Sequence, residues 1–223
     1  MSNDFFSFRQ FTIRQHACAM KVGTDGTLLG AWAYGGKRIL DVGTGTGLIV
    51  LMMAQRFADA HVVGIDIDTD AVGQAQYNVE HSPFADRVDI VQADVDAWQG
   101  TYDAIVCNPP FFENALVSPD AQRTMARHTD TLPYGVLMAA ARRLLSDEGE
   151  LSLIIPFDCK DRLESEAFLQ GLFKHREWGV RTKPTKAVRR YLLSFTKHAR
   201  GLDRGEGVIG SEWYVELTKN FYL

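Results

Sequence analysis

The chain has 223 residues, a net charge of −4 and 46% hydrophobic residues, enough to build one buried core. This acidic balance argues against a uniformly basic nucleic-acid-binding protein. Its three cysteines (Cys18, Cys107 and Cys159) are widely spaced and its six histidines form no cluster, so we expect reduced thiols and no metal site.

The sequence also lacks the features of membrane and exported proteins. No apolar run approaches the roughly 20 residues that cross a bilayer. The opening segment, MSNDFFSFRQ, does not have the basic-then-apolar pattern of a signal peptide. We therefore expect a cytoplasmic protein with no membrane association and no obligate protein partner.

Charge is distributed unevenly along the chain. Residues 41–120 carry 13 Asp/Glu and 2 Lys/Arg, whereas residues 174–204 carry 10 Lys/Arg and 2 Asp/Glu. The acidic part suits a cationic ligand and the basic part suits phosphates. The simpler alternative is that both are solvated surfaces.

The amino-terminal part predicts a small element that covers the rest of the fold. From Phe6 to Ile13 the residues largely alternate between apolar and polar, which is typical of an edge strand or a covering arm. Turn-forming residues follow at 21–27, and residues 28–32 predict a short helix. We assign residues 1–36 to an N-terminal covering arm on a single domain that spans residues 1–223.

Strand-like and helix-like segments alternate in the remainder. Strands are predicted at 38–42, 61–66, 88–92, 102–107, 150–156, 172–182 and 189–197, and helices at 48–57, 70–80, 132–145 and 161–170. Asp68 or Thr69 is the expected N-cap of the helix at 70–80. This alternation predicts an α/β fold with a mostly parallel, seven-stranded sheet and helices on both faces. Such sheets bind ligands at the carboxyl ends of their strands.

The turn after the first of these strands, Asp41-Val42-Gly43-Thr44-Gly45-Thr46-Gly47, combines an acid with three glycines. Glycine permits a sharp turn and lets a ligand approach the backbone without a Cβ in the way. A dinucleotide fingerprint of the G-x-G-x-x-G type is excluded, because Leu48 and Val50 stand where its third glycine is needed. A carboxylate at this point suits an amino or sulfonium cation.

Two further acids follow the next two strands. Asp66 lies 19 residues after Gly47 and is placed to accept the hydroxyls of a ribose. Asp94, with Val95, is placed to bind the exocyclic amine of an adenine. Taken singly, Asp66 could be a helix cap and Asp94 a turn residue. Taken together with the glycine turn, they describe an adenosine with a cationic tail, which is S-adenosylmethionine.

The strand at 102–107 ends abruptly in Asn108-Pro109-Pro110-Phe111. Two prolines cannot continue a sheet ladder, and they hold the preceding residues in an extended conformation. An amide and an aromatic ring held at a strand end can bind a flat, hydrogen-bonding substrate. The alternative is a strand-terminating turn with a core phenylalanine.

These ordered motifs resemble those of the class I methyltransferases, and residues 108–111 resemble the motif of the branch that methylates amino groups. Segments 21–26, 127–129 and 221–223 narrow the resemblance to the bacterial family that methylates N6 of adenine 37 in a valine tRNA, although Asn220 stands where that family usually has Asp. The resemblance implies a Rossmann-like class I methyltransferase fold. The cofactor-binding residues that it implies are Lys21, Thr24, Asp41, Gly43, Thr44, Gly45, Gly47, Asp66, Ile67, Asp94, Val95 and Asn108.

The resemblance also implies catalytic roles for Asn108, Pro109, Pro110 and Phe111. The Asn108 side-chain carbonyl and the Pro109 backbone carbonyl can accept hydrogen bonds from an adenine NH2, while Phe111 stacks on the base. Asn cannot hold a proton as a base, so proton loss to water is expected to follow methyl transfer. The implied partner is a tRNA, whose anticodon loop is single-stranded and costs little to unstack.

Contacts with the RNA are expected from basic residues of two segments. One is the aperiodic stretch 112–130, which is long enough to be a functional loop, and the other is the basic region near 183–190. The residues concerned are Arg123, Arg127, Lys183, Lys186, Arg189 and Arg190. Solvated surface residues of the same charge are the alternative.

Several other functions share these motifs. They are methylation of a release-factor glutamine, of guanine N2 in rRNA or of adenine in DNA, and binding of cofactor or RNA without turnover. Release-factor enzymes usually have Tyr where Phe111 stands. The rRNA guanine N2 and DNA adenine methyltransferases usually carry a further domain. The intact Asn108 and glycine turn argue against a binding module without turnover.

Overall fold

The computed structural model describes residues 4–16, 21–110 and 132–222. Its strands are β1 (Phe5–Ser7), β2 (Thr12–Arg14), β3 (Arg38–Val42), β4 (His61–Asp66), β5 (Val88–Gln92), β6 (Tyr102–Cys107), β7 (Leu145–Pro156), β8 (Phe173–Arg181), β9 (Arg190–Thr196) and β10 (Asp203–Val208). Its helices are α1 (Thr24–Trp32), α2 (Leu48–Arg56), α3 (Thr69–Glu80), α4 (Tyr134–Leu144), α5 (Lys160–Leu169) and α6 (Glu212–Thr218), and a 3-10 turn at Phe157–Cys159 joins β7 to α5.

The central sheet has the strand order β10-β8-β9-β7-β6-β3-β4-β5. Strand β9 pairs antiparallel with β7 and β8, and the other neighbours are parallel. The prediction of a mostly parallel α/β sheet is therefore confirmed. Because β3, β4, β5 and β6 run in one direction, the loops that follow them meet at one edge of the sheet.

The sheet has eight strands where the sequence predicted seven. The additional strand is β10, whose sequence, DRGEGV, contains no apolar run and a single β-branched residue. Its glycines make room for two rings, because a Cβ at Gly205 would lie 2.3 Å from the Trp178 ring and one at Gly207 would lie 2.1 Å from the Trp213 ring. Strand β10 thus forms through tertiary contacts that local propensity does not show.

Helices cover both faces of the sheet, as predicted. Adjacent residues of a strand point to opposite faces, so Ile39 of β3 joins the apolar cluster that includes α1 and α2, and Leu40 joins the cluster that includes α4 and α5. Helix α2 is buried continuously from Leu48 to Ala54. Burial on both faces explains why the central strands are largely apolar.

Strands β1 and β2 form a separate antiparallel hairpin rather than an edge strand of the main sheet. The buried rings of Phe8 and Phe11 stack with centroids 4.8 Å apart. The backbone N–H of Arg9 donates to the carbonyl of Phe221 at 2.9 Å, and Phe221 is itself buried. The two ends of the described chain are therefore packed against each other.

Helix α1 begins earlier than the sequence predicted. The predicted turn at 21–27 is wrong in its second half, because the helix already starts at Thr24. Glycine lowers helix propensity, but here it permits close packing on α2: a Cβ at Gly30 would lie 2.8 Å from Met52 Sδ. Tertiary contact therefore overrides the local turn signal.

None of the described helices is long and apolar enough to cross a membrane. Within the same part of the chain, no group of three or more His, Cys, Asp or Glu side chains is arranged to hold a metal ion.

Candidate active site

A cavity of about 860 Å³ lies at the carboxyl ends of β3, β4, β5 and β6. The predicted site residues that line it are Lys21, Thr24, Gly43, Thr44, Gly45, Asp66, Ile67, Asp94, Val95, Asn108 and Pro110. Asp41, Gly47 and Pro109 are outside this lining, and Phe111 lies outside the described residues. Residues assigned from four separate strand ends therefore meet at one cavity.

The turn after β3 exposes its backbone to the cavity. Gly43 and Gly45 have φ angles of 72° and 54°, in the left-handed region that favours glycine. A Cβ built on either residue would meet nothing within 4 Å, so this side of the turn is open. The backbone N–H groups of Gly43 and Thr44 both donate to the carbonyl of Ile65, at 2.9 and 3.0 Å, which fixes the turn against β4.

Gly47 has a different role in the geometry. It is the N-cap residue of α2, with a φ of 80°, and it does not line the cavity. A Cβ at this position would lie 3.3 Å from the Cβ of Ala75 in α3. Gly47 therefore allows the close approach of two helices behind the cavity wall.

The Asp66 carboxylate is held by two backbone groups. It accepts hydrogen bonds from the N–H of Gly45 at 2.9 Å and from the N–H of Asp68 at 3.1 Å. Each carboxylate oxygen keeps further acceptor capacity, which suits a ligand with neighbouring hydroxyls. The alternative of Asp66 as a helix cap is wrong, because Asp68 is the N-cap of α3 and accepts from the N–H of Asp70 at 2.8 Å.

The loop after β5 combines an exposed acid with a buried aliphatic residue. Asp94 is exposed and accepts the N–H of Asp96 at 2.9 Å, whereas Val95 is buried. The guanidinium of Arg143, from α4, donates to the carbonyls of Val95 and Asp96 at 3.1 and 2.9 Å. This tether positions the acid and the aliphatic side chain at the cavity wall.

Asp41 is a buried acid near the end of β3. Its side chain is fully buried, and neither carboxylate oxygen has a hydrogen-bond partner among the described residues. Burial raises the pKa of Asp41 to about 7; the nearby Thr44 hydroxyl lowers it in part, without reaching hydrogen-bond geometry, and the charge of Asp66 raises it. A cationic group bound next to the turn would favour the ionised form.

Asn108 presents an unused acceptor at the end of β6. It lines the cavity, and its Oδ1 is buried without a hydrogen-bond partner in the described part of the chain. Pro109 is buried behind it, while Pro110 is exposed and lines the cavity. Because buried carbonyl oxygens are normally paired, this amide is placed to accept a hydrogen bond from a ligand.

Acidic groups dominate the described cavity wall. Its acidic residues are Asp25, Asp66, Asp68, Asp94 and Asp96. Lys21 is the basic residue among the described lining. This imbalance favours a cationic ligand over a pyrophosphate.

Sequence reasoning missed part of this wall. Asp25 belongs to segment 21–26, which carries part of the family resemblance, so the sequence did contain a signal for this residue. The apolar residues Leu132, Pro133 and Val136 also line the cavity. They left no local signal, because their position depends on how the chain returns from β6 to α4.

The predicted RNA-contact residues fall into three groups. Lys183, Lys186 and Arg189 are exposed between β8 and β9. Arg190 is half-buried and its Nε donates to the carboxylate of Asp25 at 2.8 Å, at the rim of the cavity. Arg123, Arg127 and the rest of the predicted 112–130 loop lie outside the described residues.

Two solved methyltransferases share this architecture. A predicted O-methyltransferase from Agrobacterium tumefaciens superposes with a TM-score of 0.67 and 18% identity, covering 88% of this chain and 96% of that one. A glycopeptide N-methyltransferase solved with S-adenosylmethionine has a TM-score of 0.58 and 13% identity, covering 80% of this chain and 90% of that one. The fold is that of the class I S-adenosylmethionine-dependent methyltransferases, as predicted.

Sequence comparison gives the family. The model of the Methyltransferase small domain family matches residues 27–186. A tRNA1(Val) (adenine(37)-N6)-methyltransferase of Bacteroides thetaiotaomicron is 46% identical over 234 residues, covering 100% of this chain and 99% of the relative. A protein of the same name from Trichodesmium erythraeum is 44% identical over 237 residues with the same coverage. The chain belongs to the family of tRNA1(Val) (adenine(37)-N6)-methyltransferases.

Replacing Asp41 by Asn should change how stability depends on pH. The Asp41 carboxyl titrates at 3.8 in the unfolded chain and at about 7 when folded, so its ionisation opposes folding. Wild-type stability should therefore fall as pH rises from about 4 to about 7, by roughly 4 kcal/mol for a shift of this size. Asp41→Asn lacks this loss, and its free energy of unfolding should rise relative to wild type over the same interval, as measured by urea unfolding of cofactor-free protein.

Asp59→Asn is the matched control, because it removes an exposed carboxylate. Its difference from wild type should stay constant with pH. A constant difference for Asp41→Asn as well would contradict the burial of an ionisable carboxyl at this position.

Proposed function

We propose that the chain transfers a methyl group from S-adenosylmethionine to N6 of adenine 37 in tRNA1(Val). The observation that carries this proposal is the buried Oδ1 of Asn108, which has no hydrogen-bond partner among the described residues and lies at an acid-lined cavity. A hydrogen-bond acceptor at this point suits a substrate that reacts through an amino group. The acidic wall suits a cationic cofactor. The names of the full-length relatives supply the identity of the base and of the tRNA.

The residues of the cavity fit the proposed cofactor. When bound, S-adenosylmethionine supplies an electrophilic methyl group on a sulfonium. We assign its cationic amino-acid end to the open turn at Gly43 and Gly45, which follows Asp41, a buried carboxylate with no hydrogen-bond partner in the described part of the chain. We assign the ribose hydroxyls to Asp66, whose orientation two backbone groups already fix.

The adenine end of the cofactor has suitable neighbours in the loops after β4 and β5. Ile67 lines the cavity and is 43% exposed, so its aliphatic side chain is available to contact the adenine ring. Val95 offers a second apolar contact, and Asp94 can accept from the exocyclic amine. Thr24 and Lys21 also line the cavity.

Asn108 and Pro109 are proposed to orient the substrate amine. An adenine amine is a weak nucleophile, because its lone pair is delocalised into the ring. Two carbonyl acceptors, the Asn108 side chain and the Pro109 backbone, would take its two N–H groups and direct the lone pair into the cavity. Orientation of this kind can supply on the order of 7–11 kcal/mol. Asn cannot act as a base, so the proton is released to water after transfer.

The proposed substrate needs a surface for RNA beside the cavity. We assign this surface to the exposed cations Lys183, Lys186 and Arg189, with Arg123 and Arg127 as further contacts. Arg190 is the least available of the predicted set, because it is paired with Asp25. An anticodon-loop adenine is already single-stranded, so moving it into the cavity costs little. We further propose that Phe111 stacks on the target base. Residues 1–223 are proposed to act as a single domain in the cytoplasm.

Incubation of the protein and S-adenosylmethionine with unmodified tRNA1(Val) should yield N6-methyladenosine. Nucleoside mass spectrometry of the digested RNA measures the product, and a transcript with guanosine in place of adenine 37 is the matched control. We expect one methyl group per tRNA and none on the control. Methylation of the control, or of rRNA, DNA or a release factor instead of the tRNA, would overturn the proposed substrate.

Asp66→Ala should weaken cofactor binding selectively. It removes both the proposed ribose acceptor and the acceptor of the Gly45 N–H, so we expect the Kd for S-adenosylmethionine to rise by about 100-fold. The Kd for tRNA should change by less than about threefold, since Asp66 faces the cavity. Calorimetry and filter binding measure the two constants, with the exposed Asp89→Ala as control. Equal losses of both ligands in a folded variant would rule out the ribose assignment.

A further inference from the structure

Phe157 is an exposed aromatic ring at the same edge of the sheet as the cavity. It directly follows Pro156, the last residue of β7, and is 59% exposed. Cys107 lies opposite Leu153 in the parallel β6–β7 pair, so Phe157 stands three residues, roughly 10 Å, beyond the level of Asn108. The ring belongs to neither of the two described apolar clusters and does not line the cavity, so core packing does not explain it.

A second ring supports Phe157. Tyr191, the second residue of β9, stacks on it with centroids 6.1 Å apart and an interplanar angle of 29°. Tyr191 itself packs on the apolar cluster formed with α4 and α5, and the Nζ of Lys160 lies 5.4 Å from its ring centroid. Phe157 therefore has a fixed neighbour and still keeps more than half of its surface in solvent.

The backbone ties Phe157 to the basic segment between β8 and β9. Its N–H donates to the carbonyl of Arg189 at 3.1 Å. Lys183, Lys186 and Arg189 are exposed, and the sequence has no acidic residue from 182 to 202. The ring is thus placed next to a run of cations.

Two acidic residues lie at the edges of this surface. Asp158 follows Phe157 and is exposed, which lowers the local positive charge without cancelling the neighbouring cations. Asp25 lines the cavity and pairs with Arg190 at 2.8 Å, so the basic segment reaches the cavity rim. A backbone hydrogen bond therefore connects Phe157 to the basic segment, and an ion pair connects that segment to the cavity rim.

We propose that Phe157 stacks on a nucleobase next to the target adenine in the anticodon loop. A ring that stacks on a base, beside cations that contact the phosphates, is the common means of binding single-stranded nucleic acid. This inference rests on the proposed tRNA substrate and deepens it. The target base enters at Asn108 while its neighbour is held at Phe157, so the loop is bound at two points along the sheet edge.

Phe157→Ala should weaken tRNA binding without affecting the cofactor. We expect the Kd for unmodified tRNA1(Val), measured by filter binding with cofactor present, to rise by about tenfold, which is the lower part of the range for one base–aromatic stack. Phe157→Tyr keeps a ring and should retain wild-type affinity. Phe168→Ala is the matched control, because Phe168 is 72% exposed on α5. The KM for S-adenosylmethionine should be unchanged in all three variants.

A fluorescent base separates stacking from general loss of structure. 2-Aminopurine replaces the nucleotide on either side of adenine 37, and its fluorescence falls when it stacks on an aromatic ring. We expect quenching at one of the two sites with wild type, Phe157→Tyr and Phe168→Ala, and loss of that quenching with Phe157→Ala. If Phe157→Ala does not fold, Phe157→Leu, which is apolar but has no ring, takes its place with the same expected losses.

The outcomes distinguish this inference from the proposed function. Absence of wild-type methylation on the tRNA would overturn the proposed function. Methylation by wild type, with equal tRNA affinity and equal quenching for Phe157→Ala, would overturn the stacking role alone. A common loss of tRNA affinity, cofactor affinity and thermal stability in Phe157→Ala and Phe157→Leu would also overturn it, because the ring would then serve to cover another part of this chain.

Discussion

The hydrogen bond from the N–H of Gly45 to the Asp66 carboxylate, 2.9 Å long, joins the loops that follow two neighbouring strands. The other carboxylate oxygen accepts the N–H of Asp68, which in turn caps α3. The Asp66 carbonyl accepts the N–H of Ala93, in the third loop, at 3.0 Å. One residue therefore sets the positions of three loops around the cavity, and the parallel sheet beneath them keeps the strand ends in register.

The same region holds polar atoms that the fold leaves unsatisfied. Of seven buried side-chain atoms without a hydrogen bond in the described residues, four belong to Asp41, Thr44 and Asn108. An unpaired buried polar group costs roughly 1–3 kcal/mol, and most proteins contain few of them. Thr44 and Asn108 line the cavity and Asp41 lies two residues before Gly43, so stability is given up close to a site where a ligand can recover it. The raised pKa of Asp41 has the same origin, because burial disfavours the ionised carboxylate. A cation bound nearby would favour the ionised form.

Much of this arrangement could be predicted from the sequence, for physical reasons. Parallel strands have nearly continuous apolar sequences, and their carboxyl ends must meet, so the glycine turn, Asp66, Asp94 and Asn108 were predictable as neighbours. Strand β10 could not be predicted, because its pairing depends on space for the Trp178 ring and not on local preference. The part of the cavity wall formed by Leu132, Pro133 and Val136 was missed because a contact across the cavity has no periodicity.

Local sequence patterns also did not predict which of several similar residues faces the cavity or forms an ion pair. Three glycines of one turn share the left-handed conformation, yet Gly43 and Gly45 face the cavity while Gly47 faces α3. Likewise, Arg190 and Arg189 are adjacent in the sequence, but only Arg190 pairs with Asp25. Such differences arise from the direction of each side chain, which the sequence alone does not fix.

In the proposed mechanism the Asn108 amide orients the substrate amine and does not merely complete the fold. The most direct test is the single-turnover rate constant for methyl transfer by Asn108→Ala at saturating S-adenosylmethionine and tRNA1(Val). This rate constant should fall by at least about 100-fold, because misplacing the amine removes the benefit of orientation, while both dissociation constants stay within about threefold of wild type. An unchanged rate constant, or a loss confined to the two dissociation constants, would show that Asn108 does not orient the amine.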